Sequence, residues 1–149
     1  KKVDESRTPD ILFIERCLDL LKPGGRMAIV LPDGILGNNG LEYVRQYILN
    51  NADIVAIIDC PVESFLPSTD TKTSLLILKK KKREGLPQTF DTFMAIAKTC
   101  GHDRRGKEIY VRDENGDPVI VDGSAMIDDD FVEITRRLVK HVKSRNIYN

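Results

Sequence analysis

Residues 52–80 read A-D-I-V-A-I-I-D-C-P-V-E-S-F-L-P-S-T-D-T-K-T-S-L-L-I-L-K-K, two apolar runs joined by a loop without helical periodicity. The first run, Ala52 to Asp59, has a continuous apolar centre, Ile54-Val55-Ala56-Ile57-Ile58, as expected of a strand covered on both faces. The second, Ser74 to Leu78, is of the same kind. Parallel neighbours need a crossover, usually a helix, and none is written between these two runs, so they are expected to pair antiparallel. The sheet is therefore expected to end in an antiparallel pair.

Upstream, Thr8-Pro9-Asp10 is a helix start: a hydroxyl N-cap, proline at the first helical position and an acid at the positive end of the dipole. Ile11, Ile14, Leu18 and Leu21 recur at helical spacing up to Lys22-Pro23-Gly24-Gly25, where glycine can take the left-handed conformation that ends a helix. Met27 to Leu31 reads as a short buried strand ended by Pro32. Gly34, Gly37 and Gly40 punctuate the next loop, and Leu41, Val44 and Ile48 mark a second amphipathic helix reaching about Leu49. Helices alternating with doubly buried strands indicate an α/β sheet.

Downstream, the run Lys79 to Arg83 is five basic residues. It reads either as a solvated strand exit or as a binding surface. Phe90 to Ala97 is a further strand candidate. Glu108 to Arg112 and Pro118 to Val121 flank Asn115-Gly116 as a hairpin, and Asp128-Asp129-Asp130 precedes a last helix with Phe131, Ile134, Leu138 and Val142 inward.

With 149 residues, 41% apolar and 31% charged, the chain can bury a core, and 23 basic against 23 acidic residues leave no net charge. Contact with a polyanion must then come from local patches. Cys17, Cys60 and Cys100 are odd in number and far apart, which argues for a reducing, cytoplasmic location and against a disulfide framework. Cys100 and His102 lack further ligands at metal spacing, so no metal site is expected. No run approaches the ~20 apolar residues of a membrane span, and no signal segment opens the chain. It begins at Lys1, in front of what looks like the middle of a larger α/β fold, and reads as a fragment.

Leu21 to Leu36, L-K-P-G-G-R-M-A-I-V-L-P-D-G-I-L, taken with Asp59 to Lys80, closely resembles the adenine-specific (N-6) DNA methyltransferase subunits of type I restriction-modification systems, in the later half of their catalytic domain. Phe93 to Ala97, Gly101 to Gly106 and the Asp128-Asp129-Asp130 helix continue the likeness, which runs from about Pro9 to Val142. It implies the later half of a class I S-adenosylmethionine-dependent, Rossmann-like sheet over residues 1–100, with a hairpin and helical extension over 101–149. It also implies a parent enzyme that methylates adenine in DNA, using S-adenosylmethionine, beside a specificity subunit and a restriction subunit.

For the site, the resemblance implies a target-base pocket from Phe65, Pro67, Pro32 and Asp33. An enzyme that modifies the exocyclic amine of adenine must flip the base out of the duplex and hold it on an aromatic face, and Phe65-Leu66-Pro67 has the place of such an aromatic. A core phenylalanine plugging the loop is the competing reading, and Asp33 reads equally as a cap of the next element. Thr71, Lys72 and Thr73 lie in a hydroxyl-rich segment resembling the family's Thr-Gly-Thr-Lys-Thr-Ser, with Asp70 where the family has glycine. They are expected to contact DNA phosphates, which position a protein without specifying sequence; threonines favoured at a strand start are the alternative.

What the family needs for chemistry is missing. All seven prolines are isolated, so there is no Asn/Asp-Pro-Pro-aromatic segment to orient the target amine, and no Gly-rich turn of dinucleotide type. Catalytic and cofactor-binding residues are thus expected outside this chain, and the chain alone is expected to be inactive. The alternative from another class is a non-catalytic docking module, for protein or DNA, on a half-Rossmann scaffold. A nucleotide-dependent α/β enzyme is disfavoured by the lack of a P-loop.

Overall fold

The computed structural model describes residues 7–148. Residues 1–6 and 149, the outer ends of the two expected parts, lie outside the described residues. Helix α1 (Pro9–Leu20) leads into strand β1 (Arg26–Pro32), a short helix α2 (Asp33–Gly37) and helix α3 (Glu42–Asn51). Strand β2 (Ala52–Asp59) follows directly, then a 3-10 turn (Val62–Phe65), strand β3 (Thr73–Lys80) and strand β4 (Phe93–Ile96). A small two-stranded sheet of β5 (Ile120–Val121) and β6 (Ser124–Ala125) precedes helix α4 (Asp130–Ser144).

The four-stranded sheet has the order β1-β3-β2-β4. As expected, β2 and β3 pair antiparallel, Ile57 opposite Leu76 and Asp59 opposite Ser74. The pairing goes further than the sequence indicated, because β3 also pairs antiparallel with β1, Met27 opposite Leu78 and Leu31 opposite Ser74. β4 runs parallel to β2 along Ala56–Asp59. β1, β2 and β4 thus share one direction, with β3 threaded against it between the first two.

Directly opposed residues share a face, and the register divides the core in two. On one face Leu76 and Leu78 meet Ile14 and Leu18 of α1 and Val44 and Ile48 of α3, every one of them almost fully buried. On the other, Ile58 packs with Ala97 and with Ile134 of α4, flanked by Leu75, Phe93, Phe131 and Leu138. The helices do not cover both faces evenly. Val30 of β1 stays 43% exposed beyond α4, and Met94 and Ile96 of β4 are 71% and 70% exposed beyond α1 and α3.

The basic run that begins with the last two residues of β3 is neither plain solvated exit nor open surface over its first three residues. Lys80 Nζ donates to the Leu18 carbonyl in the last turn of α1 at 2.6 Å, Lys81 Nζ to that of Leu49 in the last turn of α3, and Lys79 Nζ to that of Ile147 just past α4. Carbonyls in the last turn of a helix have no partner within the helix and carry the negative end of its dipole, so the ammoniums of Lys80 and Lys81 complement the ends of α1 and α3. Lys82 and Arg83 remain exposed.

Lys81 also lies 3.8 Å from Asp53, whose side chain is only 17% exposed. Burial holds the Asp53 carboxyl above its usual range, against the opposing pull of Lys81 and Lys79. The folded chain therefore keeps this proton to a higher pH than the unfolded chain, and stability falls as pH rises from about 3.8 through the folded value. Asp53→Asn should flatten that stretch of the stability curve, as read by urea unfolding at stepped pH; an unaltered slope would place its origin elsewhere.

The segment between the sheet and α4 departs from the expected single hairpin. Arg112 and Pro118 are bridged across the Asp113–Gly116 turn as expected, but Met126 then adds a second return, donating to the Val119 carbonyl at 2.8 Å. Its turn is Asp122-Gly123, with φ of 51° and 80°, the left-handed pair that suits a tight hairpin.

Candidate functional site

In a parallel arrangement, chemistry collects where strands end and loops begin. β1 ends at Pro32, β2 at Asp59 and β4 at Ile96, while β3, running oppositely, begins at Thr73. Pro32, Asp33, Phe65, Pro67, Thr71, Lys72 and Thr73 therefore all come to one edge of the sheet. They are far apart in sequence, Pro32 and Thr73 being paired across the whole intervening stretch; the antiparallel insertion of β3 brings them together.

The stitching is specific. The Asp33 amide donates to the Lys72 carbonyl at 3.0 Å, and the Cys60 amide to that of Thr73 at 3.1 Å. Ser74 Oγ donates to Asp33 Oδ1 at 2.8 Å, while Lys72 Nζ reaches the Asp59 carboxylate and the Cys60 carbonyl. Asp33 is the first residue of α2, so it opens the next element and also anchors β3. The segment 34–37, which reads as a glycine loop, folds as helix because Ile35 reaches the core at 4% exposure.

Phe65 closes the 3-10 turn and is 39% exposed, a member of neither apolar cluster. Its loop is braced from the far side by Glu63, whose carboxylate receives the Arg104 Nε at 3.2 Å and is held below its usual range by backbone and Arg104 hydrogen bonds. Pro67 and Thr71 are exposed and Pro32 half-buried. Thr71 shares a hydroxyl contact with Thr69 at 3.0 Å. Thr73 is placed otherwise: only 7% exposed, with its hydroxyl inside the sheet edge. Of the expected phosphate contacts, Thr71 alone is both exposed and unburdened by a charge partner.

Cys60 is 4% exposed, and burial pushes its thiol above the usual range, which makes it a packing residue rather than a nucleophile. Cys100 Sγ and His102 Nε2 face each other at 3.7 Å in a cleft with Glu63, Arg104 and Asp128. His102 is half-buried there. Among the described residues no group of three or more His, Cys, Asp or Glu side chains could hold a metal ion, and no helix is long and apolar enough to cross a membrane.

The residues present do not fit an S-adenosylmethionine site. The glycine pair of the chain has its amides already used: Gly24 donates to the Lys80 carbonyl at 2.9 Å and Gly25 to that of Lys22 at 2.8 Å. That turn also precedes β1, at the edge opposite Asp33 and Phe65.

A mixed α/β sheet of this order, with its polar loops gathered at the carboxyl edge, is a partial Rossmann-like fold of the class I methyltransferase kind. Residues 1–129 match the family model for N-6 DNA methylases, and the chain belongs to that family. It is similar to the methylase subunit of the type I restriction enzyme EcoEI of Escherichia coli, 30% identical over 77 residues, which is 51% of this chain and 16% of that protein. The chain thus spans a small part of that relative. Among solved structures, a Listeria monocytogenes protein assigned to the class I S-adenosylmethionine-dependent methyltransferases is 30% identical, with TM-score 0.48 over 58% of this chain and 26% of that one. The M protein of the type I restriction enzyme EcoKI is 24% identical, with TM-score 0.47 over 52% and 17%.

Proposed function

We propose that this chain is the later half of the catalytic domain of a type I modification subunit. In its whole form that subunit transfers a methyl group from S-adenosylmethionine to a flipped adenine in DNA, beside a specificity subunit and a restriction subunit. Residues 1–100 are the catalytic half and 101–149 the extension. The observation that carries the reading is the meeting of Pro32, Asp33, Phe65 and Pro67 at one sheet edge in a member of the N-6 DNA methylase family. Phe65 stacks on the extruded base, Pro32 and Asp33 border it, and Thr71 faces the backbone.

The outer edge of β1 supports incompleteness. It is an apolar strand whose Met27 to Leu31 carry no charge, and such an edge is a template for pairing that natural sheets cover or blunt. Incubating the chain with duplex DNA and S-adenosylmethionine labelled in its methyl group should yield no labelled DNA. Measurable transfer would overturn the assignment of catalysis to residues outside the chain. The coding DNA ahead of the Lys1 codon tests the parent: an in-frame Asn/Asp-Pro-Pro-aromatic segment behind a Gly-rich strand turn is the expected result.

The exposed Met94 and Ile96 favour a second reading, a docking module without catalysis. A reading frame that begins at or just before the Lys1 codon would put that one first.

A further inference from the structure

Lys72 reads in the sequence as a phosphate contact, yet its ammonium is occupied within the chain. It donates to the Asp59 carboxylate and, at 2.5 Å, to the Cys60 carbonyl, the two residues at which the backbone leaves β2 for the Phe65 loop. Its own carbonyl accepts from the Asp33 amide at 3.0 Å, and Thr73, the next residue, accepts from that of Cys60 at 3.1 Å. One residue thus joins the loop's departure, the loop's return and the turn after β1. Inside the loop, order comes from the 3-10 turn and from the Thr69 amide on the Phe65 carbonyl at 3.1 Å, and the brace from Glu63 to Arg104 ties the loop to the 101–106 segment rather than to the sheet. Moving the ammonium to a phosphate would also break two charge-assisted hydrogen bonds. Asp59, 35% exposed, would then face an anionic duplex with no counter-charge.

We propose that Lys72, through its ion pair with Asp59, is a positioning residue that sets where the Cys60–Thr71 loop carries Phe65 over the carboxyl edge. What the loop meets there rests on the function proposed above; the tether itself does not. The pair does its work by geometry: a misplacement of about 1 Å at a reacting centre can reduce rate about a hundredfold.

Three measurements test this. In the intact methyltransferase, Lys72→Met and Asp59→Asn should each lower methyl incorporation into unmethylated plasmid DNA at saturating DNA by about ten- to a hundredfold. The double variant should be no worse than either single one, and Lys72→Arg should keep most of the activity. The salt dependence of affinity for a 30-base-pair duplex should stay unchanged, whereas a phosphate contact would lose about 0.9 from the slope of log K against log salt. A lost slope unit or additive single effects would overturn the tether. On this chain, amide hydrogen exchange should speed up in residues 60–71 for both variants while β1 and β3 stay protected; exchange rising across the whole sheet, or nowhere, would overturn it as well. If the unsubstituted intact protein methylates no DNA, the proposed function fails, and the exchange result still decides the tether.

Discussion

Leu78→Ala is expected to lower the unfolding free energy by about 2–5 kcal/mol, the range for emptying a well-packed leucine site. Leu78 has no exposed surface and stands between Met27 of β1 and Ile54 of β2 in register, beneath the helices on that face. The sheet cannot close over the space, because strands on both sides hold the backbone in place. Urea unfolding followed by far-ultraviolet circular dichroism reads the loss as a lower midpoint with a similar slope. A change below about 1 kcal/mol would mean that β3 is not the centre of the core.

Phe65→Ala in the intact methyltransferase is the second large effect. Stacking on an aromatic face is worth roughly 1–3 kcal/mol per base, so affinity for DNA carrying an extruded or mismatched target should fall by about tenfold for each 1.4 kcal/mol. Binding of S-adenosylmethionine should hold. With a ring 39% exposed and outside both apolar clusters, little folding stability should go with it. If stability drops while target binding survives, the aromatic is a structural plug and the pocket lies elsewhere on that edge.

Much of this architecture was legible in the residues. Period located α1, β1, α3, β2 and β3 within a residue or two, because burial of Ile14, Leu18, Val44 and Ile48 on one side forces the helical spacing, but the caps expected for α1 differ: Thr8 stands at the N-cap without a side-chain hydrogen bond, and an extended Leu21 ends the helix ahead of Gly24-Gly25. The antiparallel relation of β2 and β3 followed from the missing crossover. The place of β3 inside the sheet did not, since a doubly buried strand reports that both faces are covered and says nothing about which strands flank it. Asp122-Gly123 was a turn signal in plain view, overshadowed by Asn115-Gly116 nearby. For the site, the residue types at the edge could be picked out one by one. Their partners could not: that Lys72 meets Asp59 and Ser74 meets Asp33 depends on pairing register, which no local pattern encodes. The lysines Lys79 to Lys81 show the same limit, as a run of charge reads alike whether it faces water or backbone carbonyls.

The threading of β3 sets an order of events during synthesis. β1 and β2 are each complete early in the chain, yet neither pairs with the other; both ladders wait for residues 73–80, with Arg26 finding its place opposite Lys79. A nascent chain halted ahead of Thr73 carries two finished strands with no partner between them, and its apolar surface stays open to whatever chaperone or neighbour is at hand. Insertion of β3 joins the two in one step, in which Leu76 and Leu78 enter the core and Lys80 and Lys81 reach α1 and α3, whereas β4 and the Ile147 carbonyl that Lys79 meets are added from residues made later.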